Sequence, residues 1–375
     1  MRILFASVES FGRLFPLLPL ADAARRAGHD ILFATGEGMF PAVHRAGLPT
    51  AKIGISPKEA FDRAKAAKLR PELPEADQMP EIAATVFGEI VPRVMFATSK
   101  SVIERFRADL VISEIGNHGS LLAAQYLGVP VHSCTWGRVA ATPMIEEVSE
   151  RIANLAQDLG VSGIAPHIDI CPPSVQSTNF KANYEIQPMQ PVGWSFPDDE
   201  LPPLVARRER PIIYVTFSSV FEHVEAQTLR DIAQGLAKLP VDVLMATGAV
   251  SADIPDLPNN VYLAEWVPQS LVVPHTELLV HHGGPGAMLN AMAAGLPQLV
   301  LPDADGVEPG TSIAVEESGT GYILPQEEIS AEAIYTNVVS LLEDSTVRSA
   351  VTSVAAEIAA MPTPDQVLEL LEKQR

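Results

Sequence analysis

The segment His281-His282-Gly283-Gly284-Pro285-Gly286-Ala287 sets two imidazoles beside a run of glycines. It follows the apolar run Leu278–Val280 and opens a helical pattern that extends to about Ala294, where Gly295 closes it. A glycine-rich turn between a strand and a helix exposes backbone N–H groups at the positive end of the helix dipole, the arrangement that cradles a diphosphate. Gly283, Gly284, Gly286 and Ala287 supply that backbone, and His281 adds a side-chain donor for a phosphate oxygen. Pro285 removes one N–H, and proline is favoured at a helix start. The same residue types also suit a tight turn with buried histidines. A metal site is a poor reading of the pair, because adjacent residues on a strand point to opposite faces.

Three other segments carry polar groups at positions where strands end. Phe217-Ser218-Ser219-Val220 places hydroxyls that can hydrogen-bond phosphate, although serine in a loop is commonly a turn former. Trp266-Val267-Pro268-Gln269 offers an indole to stack on a nucleobase and backbone groups to read its edge; core packing is the plainer role for Trp266. Ser10-Phe11-Gly12-Arg13-Leu14-Phe15-Pro16 joins the first strand to the first helix. It has one glycine where the dinucleotide fingerprint needs three, which disfavours a nicotinamide-dependent oxidoreductase.

These segments need a scaffold of alternating strands and helices. Strands are expected at Ile3–Val8, Ile31–Ala34, Leu110–Ser113 and Val129–His132, with helices over Pro16–Arg26 and Ser120–Tyr126. A second set follows at Ile212–Phe217, Val241–Ala246, Leu278–His281 and Leu299–Leu301. This is the βαβ rhythm of parallel sheets with helices on both faces. Residues 57–80, with Pro57, Pro71, Pro74 and Pro80, read as a surface loop. Prolines crowd between Pro188 and Pro211, and such density extends a chain. The expected organisation is a Rossmann-like domain over 1–195, a linker over 196–210, a second Rossmann-like domain over 211–350, and terminal helices over 351–375 that cross back to the first. Ligands in such sheets bind at the carboxyl ends of the strands, here in a cleft between two facing domains.

Composition bounds the partners. The 375 residues carry a net charge of −20, with 47% hydrophobic and 19% charged residues. That is a globular balance, and the acidity argues against nucleic acid and against an anionic membrane surface. Cys134 and Cys171 are too few for a disulfide framework and read as free thiols of a cytoplasmic protein. Glu9 and Arg13 interrupt the first apolar stretch, so it is not a signal peptide, and no uncharged run reaches the roughly 18 residues of a spanning helix.

Taken together, the segments resemble the natural-product glycosyltransferases of the GT-B fold, such as the calicheamicin and macrolide enzymes. The resemblance spans nearly the whole chain. Gly12-Arg13-Leu14-Phe15-Pro16-Leu17-Leu18-Pro19-Leu20-Ala21 compares with G-H-x-x-P-L-x-x-L-A, and Arg25-Arg26-Ala27-Gly28-His29 follows as is typical. Trp266 to Gln269 matches W/F-V-P-Q, Val280 to Gly286 matches V-H-H-G-G-x-G, and Gly295 to Gln298 matches G-V-P-Q. The resemblance implies a nucleotide-sugar co-substrate held in the C-terminal half by Ser218, Ser219, Trp266, Val267, His281, Gly283, Gly284, Gly286, Ala287 and Asp305, with Ser10 and Gly12 added from the N-terminal half. It implies a small-molecule acceptor in the N-terminal domain, no cofactor and no metal; a homodimer is compatible with it.

Two departures bear on chemistry. The family's general base is usually histidine, where this chain has Arg13, and arginine stays protonated. Glu114, after the strand Leu110–Ser113, then becomes a candidate base or a salt-bridge partner of Arg13; His118 and Ser10 are weaker candidates. Alternatively the acceptor oxygen is acidic, as in a phenol, and Arg13 stabilises its anion. The second departure is at Pro302-Asp303-Ala304-Asp305-Gly306, where relatives carry Asp-Gln or Asp-Ser for sugar hydroxyls; fewer contacts suit a deoxysugar. The expected activity is inverting transfer of a deoxysugar, from a dTDP-linked donor, to a secondary metabolite in antibiotic biosynthesis. The rivals are a glycosyltransferase-like partner protein with weak or no catalysis, and a nucleotide-sugar epimerase.

Overall fold

A computed structural model describes residues 1–66, 75–140, 142–207, 209–217, 226–302 except 249–256, and 309–374. The chain divides into two compact units. Unit 1 comprises Met1–Asp169, Thr178–Gln187 and Thr363–Arg375, and unit 2 comprises Ile170–Ser177 and Pro188–Pro362.

Unit 1 is built on a seven-stranded sheet: β1 (Arg2–Ala6), β2 (Asp30–Thr35), β3 (Thr50–Lys52), β4 (Leu110–Glu114), β5 (Val131–Cys134), β6 (His167–Asp169) and β7 (Ile186–Pro188), in the order β3-β2-β1-β4-β5-β6-β7. β1 pairs in parallel with β2 on one side and with β4 on the other, Ala6 facing Ser113. Ile3, Leu4, Phe5 and Ala6 are all buried, because helices cover both faces of the sheet. The chain winds from β1 outward to β3 and then returns to the other side of β1. The β1–β4 junction is therefore the switch point at which such sheets open a crevice.

Unit 2 repeats the plan with β8 (Ile212–Thr216), β9 (Asp242–Ala246), β10 (Val261–Ala264), β11 (Leu278–His281), β12 (Gln298–Val300) and β13 (Gly321–Ile323), ordered β10-β9-β8-β11-β12-β13. Its switch point lies between β8 and β11, where Thr216 is level with His281. Ile213, Val215, Val243, Met245, Val280 and Leu299 form its core with Leu229, Ile232 and Leu236 from the helix Ala226–Leu236.

Three expectations about organisation are corrected. Residues 57–66 are a helix, with Pro57 opening it and Ala60 and Ala64 buried four residues apart; Glu75–Thr85 is a second helix that contains Pro80. Proline at a helix start costs nothing, so its presence did not require a loop. Residues 67–74 lie outside the described part. The 196–210 stretch is not a bare linker: Pro203–Ala206 is a short helix whose Val205 packs with Ile212 and Tyr214 in the core of unit 2.

The terminal helices also part company. Ser345–Ala360, N-capped by the Asp344 carboxylate, buries Val347 and Val351 in unit 2. Only the chain from Thr363 joins unit 1, where Pro364–Lys373 starts with a capping box and pairs Asp365 with Arg26 (2.8 Å) and Glu372 with His29 (2.7 Å). Residues 170–177 belong with unit 2 because the Ser174 N–H donates to Glu357 (2.8 Å). Among the described residues one helical run, Met79–Phe106, is long and apolar enough by composition to cross a membrane, yet Val86, Met95, Val102 and Ile103 within it are buried inside unit 1.

Candidate functional site

In unit 2 the glycine-rich segment forms the turn from β11 into the helix Pro285–Ala294. Gly283 has φ of +103°, a conformation open to glycine and strained for any other residue. Gly284 occupies the N-cap and has no side-chain oxygen with which to cap the first turn. Pro285 has no N–H, so the open donors are those of Gly286 and Ala287, which have no acceptor within the helix. Ala287 buries its methyl in the core and contributes only backbone. A Cβ added at Gly286 would meet nothing within 4 Å, so the protein itself leaves room there.

His281 does not face this opening. Its imidazole is fully buried, its Nε2 lies 3.0 Å from Gln298 Oε1, and its Nδ1 accepts the Gly283 N–H at 3.2 Å. That pattern sets the tautomer: Nε2 carries the proton and donates to Gln298. Burial, assisted by neighbouring His282 and opposed by the Gln298 bond, pulls its pKa down to about 3, so the ring is neutral at pH 7. The expected side-chain donor to phosphate is therefore corrected. His281 braces the turn from below, and the groups left open at the helix start are backbone N–H donors. Gln298, part of a quoted motif but given no role, completes the brace; its position at the start of β12, level with Leu279 on β11, was the available signal.

Trp266 follows β10 and is 46% exposed, which rules out the core role. Val267 beside it is buried and offers only its backbone. Ser218, Ser219 and Asp305 lie outside the described residues. Ser218 directly follows Phe217, one residue beyond the paired Thr216 of β8.

In unit 1 the candidates gather at the β1–β4 switch point. Ser10 is the N-cap of the short helix Phe11–Leu14, and its carbonyl accepts the Arg13 and Leu14 N–H groups at 3.2 and 3.0 Å. Gly12 is exposed on that helix. Ser10 and Gly12 thus belong to unit 1, whereas the glycine turn and Trp266 belong to unit 2. Glu114 ends β4 and is 2% exposed; Oε2 accepts the Gly116 N–H at 2.7 Å and Oε1 the Val8 N–H at 3.4 Å. Both oxygens of this buried carboxylate are thus held by backbone donors.

Arg13 extends over Trp136, with its guanidinium carbon 3.2 Å from the ring centroid. Trp136 was missed because the expected strand stopped at His132, short of the strand's true end at Cys134 and of the loop two residues beyond. His118 opens the helix His118–Tyr126; desolvation lowers its pKa to about 4, so it is neutral at pH 7 and not the solvated histidine its position suggested.

Comparison with known proteins agrees with this geometry. Residues 230–373 match the family described as erythromycin biosynthesis protein CIII-like, C-terminal domain. The chain is 28% identical to an L-demethylnoviosyl transferase of Streptomyces niveus, over 100% of this chain and 98% of that one. It is 27% identical to the elloramycin glycosyltransferase ElmGT of Streptomyces olivaceus, over 98% and 96%. The solved structure of the glycosyltransferase SsfS6 from Streptomyces sp. SF2575, complexed with thymidine diphosphate, superimposes with a TM-score of 0.79 at 27% identity, covering 100% and 99% of the two chains.

Proposed function

For a GT-B chain related in this way to the natural-product glycosyltransferases, we propose that the activity is transfer of a deoxysugar from a thymidine diphosphate donor to a small secondary metabolite, with inversion at the anomeric carbon. The observation that carries the reading is the braced glycine turn of unit 2, where His281 and Gln298 hold a helix start whose first N–H groups are open. As the anomeric C–O bond breaks, the diphosphate oxygen takes the electron pair and gains charge. Dipoles aimed at that oxygen before reaction stabilise it without reorganising. Thymidine is supported by the nucleotide bound to SsfS6. The deoxysugar is supported by Asp305-Gly306, where relatives carry a second hydroxyl-binding side chain.

The acceptor belongs to unit 1 in this reading. Arg13 stands where the family's base would be and holds its proton. An acceptor that ionises readily needs no base. Its phenolate oxygen forms the bond to the anomeric carbon as the bond to diphosphate breaks, and no proton has to be removed in the step. Glu114, held by two backbone donors, is not assigned the base. The named relatives are transferases, which favours a catalytic chain over a silent partner protein. Both cysteines are buried free thiols, which supports a reducing, cytoplasmic setting.

Thermal denaturation with dTDP, UDP and NAD in parallel tests the donor half of the reading. dTDP at about 100 times its Kd stabilises by roughly 2.7 kcal/mol; UDP is expected to stabilise less and NAD not at all. No shift with either nucleoside diphosphate would overturn it.

A further inference from the structure

We propose that Arg151 is the positioning residue for a hinged lid of unit 1: its guanidinium clamps a π-turn at Val86–Ile90 and so sets where the helices Pro57–Ala66 and Glu75–Thr85 stand against the acceptor. The lid's role rests on the sugar-transfer reading; the hinge and its clamp do not.

The helical run Met79–Phe106 is not uniform. Val86–Ile90 is a single turn of π-helix, in which the Val91 N–H donates to the Val86 carbonyl five residues back. Such turns mark the points where a long helix bends. The local cause is Pro92 at the head of Val91–Phe106, which has no N–H and whose ring would strike the Gly88 carbonyl in a regular helix. The two sides of the turn are packed differently. Beyond it, Pro92 and Met95 press on the start of the helix His118–Tyr126, where a Cβ on Gly119 would stand 2.4 Å from the Pro92 oxygen and 2.4 Å from Met95 Cβ. That contact fixes Val91–Phe106 next to the segment leaving β4 at the switch point. Before the turn, the helices Pro57–Ala66 and Glu75–Thr85 gather around a small core of their own, Ala60, Ala64 and Val86 with Phe61, Ile82 and Ile90. Two alanine methyls bury little apolar area, so packing alone holds these helices weakly.

Arg151, on the helix Pro143–Leu159, supplies what packing does not. Its Nη1 donates to Thr85 Oγ1 and to Glu89 Oε1, both at 2.8 Å. Its Nη2 donates to Glu81 Oε1 at 3.1 Å and to Glu147 on its own helix. Glu81 and Thr85 precede the π-turn and Glu89 lies within it, so one guanidinium spans the hinge. Gly88 makes the approach possible. A Cβ there would stand 2.9 Å from Arg151 Cδ, and its φ is not one that needs glycine. Arg151 and Glu81 are mostly shielded from solvent, which sets this pair apart from an exposed surface bridge. Phe87, in the hinge, is exposed and meets Phe61 of the lid edge-on at 5.9 Å. The clamp therefore also sets the aromatic pair that the lid presents, and a flat apolar acceptor is the ligand class such a pair suits.

The test is amide hydrogen exchange, read by mass spectrometry without substrate, on the full chain and the variants Arg151→Met and Arg151→Lys. Arg151→Met is expected to raise exchange on the order of tenfold over 57–66 and 75–90 and to leave Val91–Phe106 and β4 unchanged. Arg151→Lys keeps the charge and loses the planar fork, so it rescues little. The same proteins are then assayed with a hydroxycoumarin acceptor and a dTDP-linked deoxysugar. The acceptor's KM is expected to rise and kcat to fall together, as for a gating element, while stabilisation by dTDP stays the same.

No rise in exchange, a rise spread evenly over unit 1, or full rescue by lysine would overturn the clamp. Unchanged acceptor kinetics in a variant whose lid exchanges faster would overturn the lid. Should Arg151→Met not fold, Thr85→Val removes one acceptor of the clamp at nearly constant shape and is expected to give a smaller rise in the same helices. A native chain that neither transfers sugar nor responds to dTDP sinks the sugar-transfer reading, and the exchange result still decides the clamp.

Discussion

The two switch points solve opposite problems with the same sheet plan. In unit 2 the groups proposed to face the ligand are backbone N–H donors, and side chains work from underneath: His281 and Gln298 are buried and hold the turn. In unit 1 the candidate groups are themselves side chains, Arg13, Glu114 and Trp136, brought from three strands. A diphosphate has one geometry in every donor, so a rigid backbone cradle suits it. Acceptors differ in shape and acidity, and side chains are the part of a fold that can vary to match them.

Substitutions at Gly283 test the backbone half most severely. Alanine there must adopt φ of +103°, at a cost of roughly 1–3 kcal/mol. The melting temperature is expected to fall and dTDP stabilisation to disappear, both visible in one thermal titration. Next come the buried polar anchors. Gln298→Leu strands the His281 Nε2–H, and Glu114→Gln turns an amide towards backbone N–H groups that a carboxylate had accepted. Each is expected to cost about 1–3 kcal/mol in urea unfolding. They separate in binding: Gln298→Leu weakens dTDP affinity by calorimetry and Glu114→Gln leaves it unchanged. Equal loss from both would break the comparison between the units.

Acid should strain both units through their histidines. His281 titrates near 3 and His118 and His167 near 4 in the fold, against 6.5 when exposed, and burial lowers His132 as well. Between those values the unfolded chain binds the extra protons, so stability is full above about pH 6.5 and is lost as pH falls towards 4. Melting temperature against pH is expected to show this slope, and His167→Gln to flatten it; an unaltered slope would assign acid lability elsewhere. The smallest stability change is expected for Gly286→Ala. The added methyl meets nothing within 4 Å and alanine favours a helix by up to about 1 kcal/mol, so the melting temperature holds or rises while dTDP affinity falls. Unchanged affinity would remove Gly286 from the cradle.

Much of the first tier was legible from residues 1–6, 30–35 and 278–294. Strands buried on both faces write themselves as continuous apolar runs, and a strand-to-helix glycine turn is a local pattern. The short strands Thr50–Lys52, His167–Asp169, Ile186–Pro188, Val261–Ala264 and Gly321–Ile323 went unrecognised, since three or four residues carry too little periodicity to stand out. Proline misled twice, at 57–80 and at 196–210, because it extends a loop and opens a helix equally well.

The amino-acid sequence by itself determined the two α/β units, the placing of a glycine turn after β11, and the substitution of arginine for a histidine at position 13. Each depends on residues adjacent in the chain, where backbone chemistry and spacing are read directly. Tertiary structure alone decided that His281 turns inward to Gln298, that the chain from Thr363 packs on unit 1 while Ser345–Ala360 stays with unit 2, and that Arg13 meets Trp136. Those outcomes join residues far apart in sequence, and what selects among them is which groups sheet pairing and burial bring within hydrogen-bonding or stacking distance.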